Sequence, residues 1–146
     1  MDVQEYISES PTETHKIAAQ IASKSTCGQV ICLYGNLGGG KTTFTKGFAK
    51  ALGISDNIPS PTFVILRQYK FGKENVLYHF DLYRLEKERD MENIGLKEIL
   101  EDKNGIVLIE WAEKAKNMLS EERIDIYFKY INEYTRKIRV RSMYGK

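Results

Sequence analysis

The chain has 146 residues, with 22 Lys and Arg against 20 Asp and Glu, a formal net charge of +2, and 42% hydrophobic residues. A chain of this length is expected to fold as one domain, residues 1–146, around a core that needs neither disulfide nor metal, and 3 Pro with 11 Gly argue against disordered or collagen-like sequence. The near-neutral balance gives no field that would single out a nucleic acid and points to protein partners first, while two cysteines, Cys27 and Cys32, support neither a zinc site nor a disulfide framework.

The N-terminal stretch MDVQEYISES is acidic and lacks the basic start and apolar core of a signal peptide. No apolar run approaches the roughly 20 residues that span a bilayer. A reducing cytoplasm without membrane contact is the expected setting. Ser10, Pro11 and Glu13 then read as a helix start, with Ser10 as cap, Pro11 at the first helical position and Glu13 completing a capping box. Ile17, Ala18, Ile21 and Ala22 follow at helical spacing. Val30 to Tyr34 is a short continuous apolar run between Gly28 and Gly35, as expected of a strand buried on both faces. A glycine-rich loop, Gly35 to Gly40, precedes a second helix over about Lys41 to Leu52, in which Phe44, Phe48 and Leu52 recur on one side and Gly53 stands at the C-terminal cap.

Further strands are predicted over Thr62 to Tyr69 and Val76 to Tyr83. In the second, Leu77, His79, Asp81 and Tyr83 share one face and Val76, Tyr78, Phe80 and Leu82 the other. A helix over Met91 to Glu101 and a buried strand Ile106 to Ile109, ending at Glu110 and Trp111, come next. Arg123 to Ile131 and Arg136 to Ser142 alternate apolar and polar residues around Asn132 to Thr135, which reads as an antiparallel hairpin. The expected fold class is α/β: a three-layer fold like that of P-loop nucleotidases, with a mixed sheet, a mostly parallel core and an antiparallel C-terminal hairpin.

The segment Gly35-Asn36-Leu37-Gly38-Gly39-Gly40-Lys41-Thr42 matches GxxxxGK(S/T) between a buried strand and a helix. Glycines let the backbone wrap a phosphate where Cβ atoms would clash, so that N–H groups point inward. The helix then adds its positive end, Lys41 reaches the β- and γ-phosphates, and the Thr42 hydroxyl becomes a magnesium ligand. Thr43 adds a further phosphate hydrogen bond. Such a loop works with an acidic residue at the end of a neighbouring strand, and Glu110 supplies it. Asp81 is expected to orient an attacking water or join the magnesium shell. His79, on the same face, reads first as a packed core residue. Arg67, Arg84 and Arg89 all stand as possible charge stabilisers.

Together GNLGGGKTT, SPTF, HFDLYRL and IVLIEW, in this order and over about Ser10 to Ser142, resemble the TsaE (YjeE) family of small bacterial ATPases. The resemblance implies an ATPase that works with TsaB and TsaD in making threonylcarbamoyladenosine beside the tRNA anticodon. It implies that Leu37, Gly38, Gly39, Gly40, Lys41 and Thr42 cradle the phosphates and that Thr42 and Glu110 hold magnesium. Asp81 would act as the catalytic carboxylate or as a further member of the magnesium shell, and Ser60 to Phe63 would form a switch-like loop in which Thr62 contacts the γ-phosphate. Pro11 to Thr14 matches the part of the family that approaches the base. Asn36 and Gly39 depart from the family's usual Asp and Ala. A small-molecule kinase and a nucleotide-switched binding module remain as alternatives; no lid-like insertion favours the former, and no NKxD motif follows the loop for guanine reading. Lys137, Arg139 and Arg141 share one strand face, which reads as the solvated edge of a sheet before it reads as a weak tRNA contact.

Overall fold

Every residue of Gly105–Glu110 is buried, as required of a strand covered on both faces. The computed structural model describes residues 2–36, 40–55 and 65–144. In chain order the elements are β1 (Asp2–Ser8), α1 (Pro11–Lys24), β2 (Val30–Tyr34), α2 (Lys41–Ala51), β3 (Leu66–Phe71), β4 (Asn75–Asp81), α3 (Glu88–Asn93), α4 (Leu96–Leu100), β5 (Gly105–Glu110), a 3-10 segment (Ala112–Met118), β6 (Ile124–Tyr130) and β7 (Arg136–Ser142). The strands form one seven-stranded sheet in the order β1-β7-β6-β2-β5-β4-β3. Parallel pairings join β6, β2, β5 and β4, and antiparallel pairings add β7 and β1 on one side and β3 on the other.

Side-chain alternation builds a core on each face of this sheet. Ile31, Leu33, Leu77, Leu108 and Ile126 pack with Ile17 and Ile21 of α1 and Phe44 and Phe48 of α2. Cys32, Phe80, Val107 and Ile109 face the other way, onto Met91 of α3, Leu96 of α4 and Ala112 and Ala115 of the 3-10 segment. Phe44 meets Phe128 of β6 edge-on, with ring centroids 5.4 Å apart. Burying such a ring is worth about 1.5–3 kcal/mol, so α2 is anchored where it leaves the loop. Gly47 brings α1 close: a Cβ there would stand 2.8 Å from His15 Cα. At the start of α1, Ser10 Oγ accepts from Glu13 N and Glu13 Oε1 accepts from Glu9 N, the expected capping box.

Several expectations need correction. The N-terminal segment is strand β1, antiparallel to β7 from Asp2↔Ser142 to Ser8↔Arg136. Consequently β7 lies between β1 and β6, and its basic face is not a sheet edge; Lys137 pairs with Glu5 at 3.5 Å and Arg141 with Asp125 at 3.1 Å. The predicted helix from Met91 to Glu101 is two helices, because Gly95 takes φ 78° and breaks the hydrogen-bonded ladder there. β3 runs on to Phe71, and the start of its predicted range, through residue 64, lies outside the described residues. Cys27 and Cys32 are both free. Among the described residues no helix is long and apolar enough to cross a membrane.

Candidate functional site

β2 delivers the chain into the glycine-rich segment and α2 takes it away. Gly35 has φ 143°, and its backbone passes so close to β6 that a Cβ would lie 2.7 Å from the Phe128 carbonyl oxygen. Only glycine fits that approach. Gly40 stands at the N-cap of α2 with φ 102°; no side chain caps the helix and no acidic residue occupies its first turn, so no carboxylate of the helix's own first turn offsets its positive end. Lys41 is 5% exposed. Its Nζ donates to Gly35 O at 2.6 Å and sits 4.5 Å from the Trp111 ring centroid. Thr42 and Thr43 follow in the same turn, half-buried, whereas Leu37, Gly38 and Gly39 lie outside the described residues.

The carboxylates arrive by strand register. β4 and β5 are parallel, and their last residues, Asp81 and Glu110, are direct partners. Both belong to the face that carries Leu77 and Leu108, hence to the side on which α2 packs. Burial pushes the Asp81 carboxyl above its ordinary value; the Glu110 charge adds to the rise, and the Tyr83 N–H, His79 and Lys41 oppose it. Tyr83 N donates to Asp81 Oδ1 at 3.1 Å. Glu110 is buried, and its Oε2 lies 2.7 Å from His79 Nε2. The two-residue spacing of His79 and Asp81 was visible as shared parity. His79's partner was not, because it depends on how β4 and β5 align.

Trp111 follows Glu110 in the left-handed region, φ 60° and ψ 40°, the only non-glycine residue there among those described. This conformation is uncommon for a bulky side chain. It lets the indole turn back over Lys41 while packing at a tilt against Tyr83, with centroids 4.9 Å apart and ring planes at 50°. Lys114 fastens the Tyr83 segment by donating to the carbonyls of Tyr83 and Leu85.

The remaining expected positions are distributed as follows. Pro11 is exposed at the first turn of α1. Thr14 is buried, with its hydroxyl 2.7 Å from Ser8 Oγ, so its side chain ties α1 to β1. β1 runs parallel to β2, since both β1 and β6 oppose β7 and β6 parallels β2; the first turn of α1 is therefore at the same end of the sheet as Gly35. Thr62 and the whole of Ser60 to Phe63 lie outside the described residues. Of the arginines, Arg67 pairs directly with His79 across β3 and β4, with its Nε buried and unbonded, while Arg84 and Arg89 are exposed. Arg67 is thus the one that shares the face of His79 and Asp81.

Hard oxygen donors, the Thr42 hydroxyl and the Glu110 carboxylate, suit magnesium, which is held by one or two protein oxygens together with phosphates and water. Among the described residues no cluster of three or more His, Cys, Asp or Glu forms a self-sufficient metal cage, and such a cage is what this mode of binding does without.

Residues 8–138 match the family model described as threonylcarbamoyl adenosine biosynthesis protein TsaE. The chain belongs to the TsaE family. The tRNA threonylcarbamoyladenosine biosynthesis protein TsaE of Bacillus subtilis (strain 168) is 44% identical over 128 residues, covering 88% of this chain and 78% of the relative. The TsaE of Aquifex aeolicus is 36% identical over 140 residues, covering 94% and 96%. The crystal structure of Bacillus subtilis YdiB superposes with a TM-score of 0.82 at 35% identity, over 97% of this chain and 86% of that one. The family places the chain in tRNA threonylcarbamoyladenosine biosynthesis.

Proposed function

We propose that this TsaE-family chain is a cytoplasmic P-loop ATPase that binds ATP with magnesium and hydrolyses it slowly, serving TsaB and TsaD in tRNA threonylcarbamoyladenosine formation. The observation that carries the reading is the register match of Asp81 with Glu110 on the face where Lys41 leaves the glycine-rich segment. In this reading Leu37 to Thr42 and Thr43 cradle the phosphates through N–H groups and hydroxyls, Lys41 neutralises the β- and γ-phosphates, and Thr42 with Glu110 holds magnesium. Bound magnesium supplies charge neutralisation across the phosphate oxygens. Asp81, whose burial raises its proton affinity, orients the attacking water and accepts its proton. Thr62 contacts the γ-phosphate, and Pro11 and Thr14 border the base. None of Arg67, Arg84 and Arg89 is assigned as an arginine finger in this reading, a group worth orders of magnitude in rate, so turnover is slow until TsaB and TsaD are present; tRNA is reached through them.

The test is nucleotide titration and phosphate release by three variants, with and without magnesium and the two partners. Lys41→Ala weakens ATP binding about 10–100-fold, the equivalent of one hydrogen bond to a charged group at about 1.5–3 kcal/mol. Glu110→Ala chiefly removes the magnesium dependence, and Asp81→Ala binds but does not hydrolyse. Wild-type curves for all three refute the site. Brisk hydrolysis by the isolated chain, unchanged by TsaB and TsaD, refutes the accessory role. Phosphate transfer to a small acceptor instead of water favours a kinase.

A further inference from the structure

His79 occupies a position that core packing alone does not explain. Its neighbours on the same face of β4 are Leu77 and Asp81, its register partners are Arg67 on β3 and Leu108 on β5, and it is 6% exposed. A buried imidazole between two leucines and an arginine would be served by any acceptor. The acceptor it meets is Oε2 of Glu110, at 2.7 Å. A carboxylate only accepts hydrogen bonds, so His79 Nε2 is the donor when Glu110 is ionised. Among the described residues the Glu110 side chain is bonded by His79, while its backbone carbonyl accepts from Leu82 N. One carboxylate oxygen is therefore fixed by the imidazole. Glu110 is the last residue of β5, directly opposite Asp81; without a donor, two adjacent carboxylates would turn away from one another.

We propose that His79 is a positioning residue that holds the Glu110 carboxylate in the orientation from which it serves magnesium. This rests on the magnesium role given to Glu110 under the proposed function. The arrangement is the mirror of the usual one, in which a carboxylate orients a ligating imidazole; here the imidazole orients the carboxylate, and loss of such a supporting partner characteristically costs about 10–100-fold in metal affinity.

The experiment measures the affinity of the full chain for a fluorescent ADP analogue in saturating magnesium and in chelator, and takes the ratio. His79→Leu keeps the volume and removes the donor. His79→Gln places an amide nitrogen where Nε2 stood. Far-ultraviolet circular dichroism and thermal melting establish that each variant folds. The expected result is that His79→Leu lowers the magnesium enhancement about 10–100-fold with unchanged affinity in chelator, and that His79→Gln restores it. Full enhancement in His79→Leu, or equal loss in both variants, overturns the proposal. Should His79→Leu not fold, His79→Asn, whose amide is too short to reach, replaces it, and loss of enhancement in His79→Gln remains decisive against the proposal. A wild-type chain that binds nucleotide with no magnesium enhancement overturns the magnesium reading of Glu110 itself, and the role of His79 with it.

Discussion

Tyr78 and Asp102 illustrate how a single side-chain pair makes stability depend on pH. The Tyr78 hydroxyl donates to Asp102 Oδ2 at 2.6 Å, and Asn104 N donates to Oδ1 at 2.9 Å. The Tyr78 hydrogen bond first, and the Asn104 N–H second, hold the Asp102 carboxyl below the usual carboxylate range. A depressed carboxylate stabilises the fold above its unfolded value of about 3.9 and loses that contribution as pH falls through the lowered native value. Tyr78→Phe keeps the ring against Gly105, whose Cβ position it crowds at 2.5 Å, and deletes the donor. Its urea midpoint is predicted to lie below that of the wild type at pH 7, with the gap closing as the pH is lowered through the native value. A gap independent of pH would show that the hydrogen bond does not shift Asp102. At this scale the placement of Lys41 at the start of α2 and of Asp81 and Glu110 at strand ends was legible, because residue type and spacing mark those positions. The His79–Glu110 bond was not, since it joins strands whose relative register no local pattern encodes.

Gly47 decides the fit between two elements. In an exposed helix Gly→Ala gains about 1 kcal/mol from propensity, but here the added methyl would meet His15 Cα at 2.8 Å and Ala18 Cβ at 3.2 Å. Overpacking of this kind costs about 1–3 kcal/mol, so Gly47→Ala is predicted to lower stability by up to about 2 kcal/mol in urea unfolding, although the helix itself is favoured. A stabilised variant would mean that α1 yields. The start of α1 and both ends of α2 were readable to within a residue, as were the strands β2, buried at its centre, and β5, buried throughout. The break between α3 and α4 was hidden because apolar residues (Met91, Ile94, Leu96, Ile99, Leu100) continue on both sides of Gly95, and a single glycine inside an apolar-rich segment is compatible with one helix. β1 was hidden for another reason. Its residues are exposed apart from Tyr6 and Ser8, so it has no apolar stripe to reveal it and owes its form to pairing with β7.

Across the whole molecule β1 closes one side of the sheet and fastens α1 through Ser8 and Thr14. Deleting residues 2–8 is predicted to lower the urea midpoint and to release to rapid hydrogen exchange those β7 amides that point toward β1, while the β7 amides bonded to β6, and β2 and β5, stay protected; β1-facing amides of β7 that remain slow would show that β1 contributes no closure. The basic face of β7 would then stand at a true edge, where charges discourage pairing with other chains. β1 also separates the order of synthesis from the order of assembly. Asp2 pairs with Ser142, and at about 5–20 residues per second the first strand leaves the ribosome roughly 7–28 s before its partner has been made. During synthesis the N-terminal strand therefore cannot take its place until the last strand has been made, although it is the first to emerge.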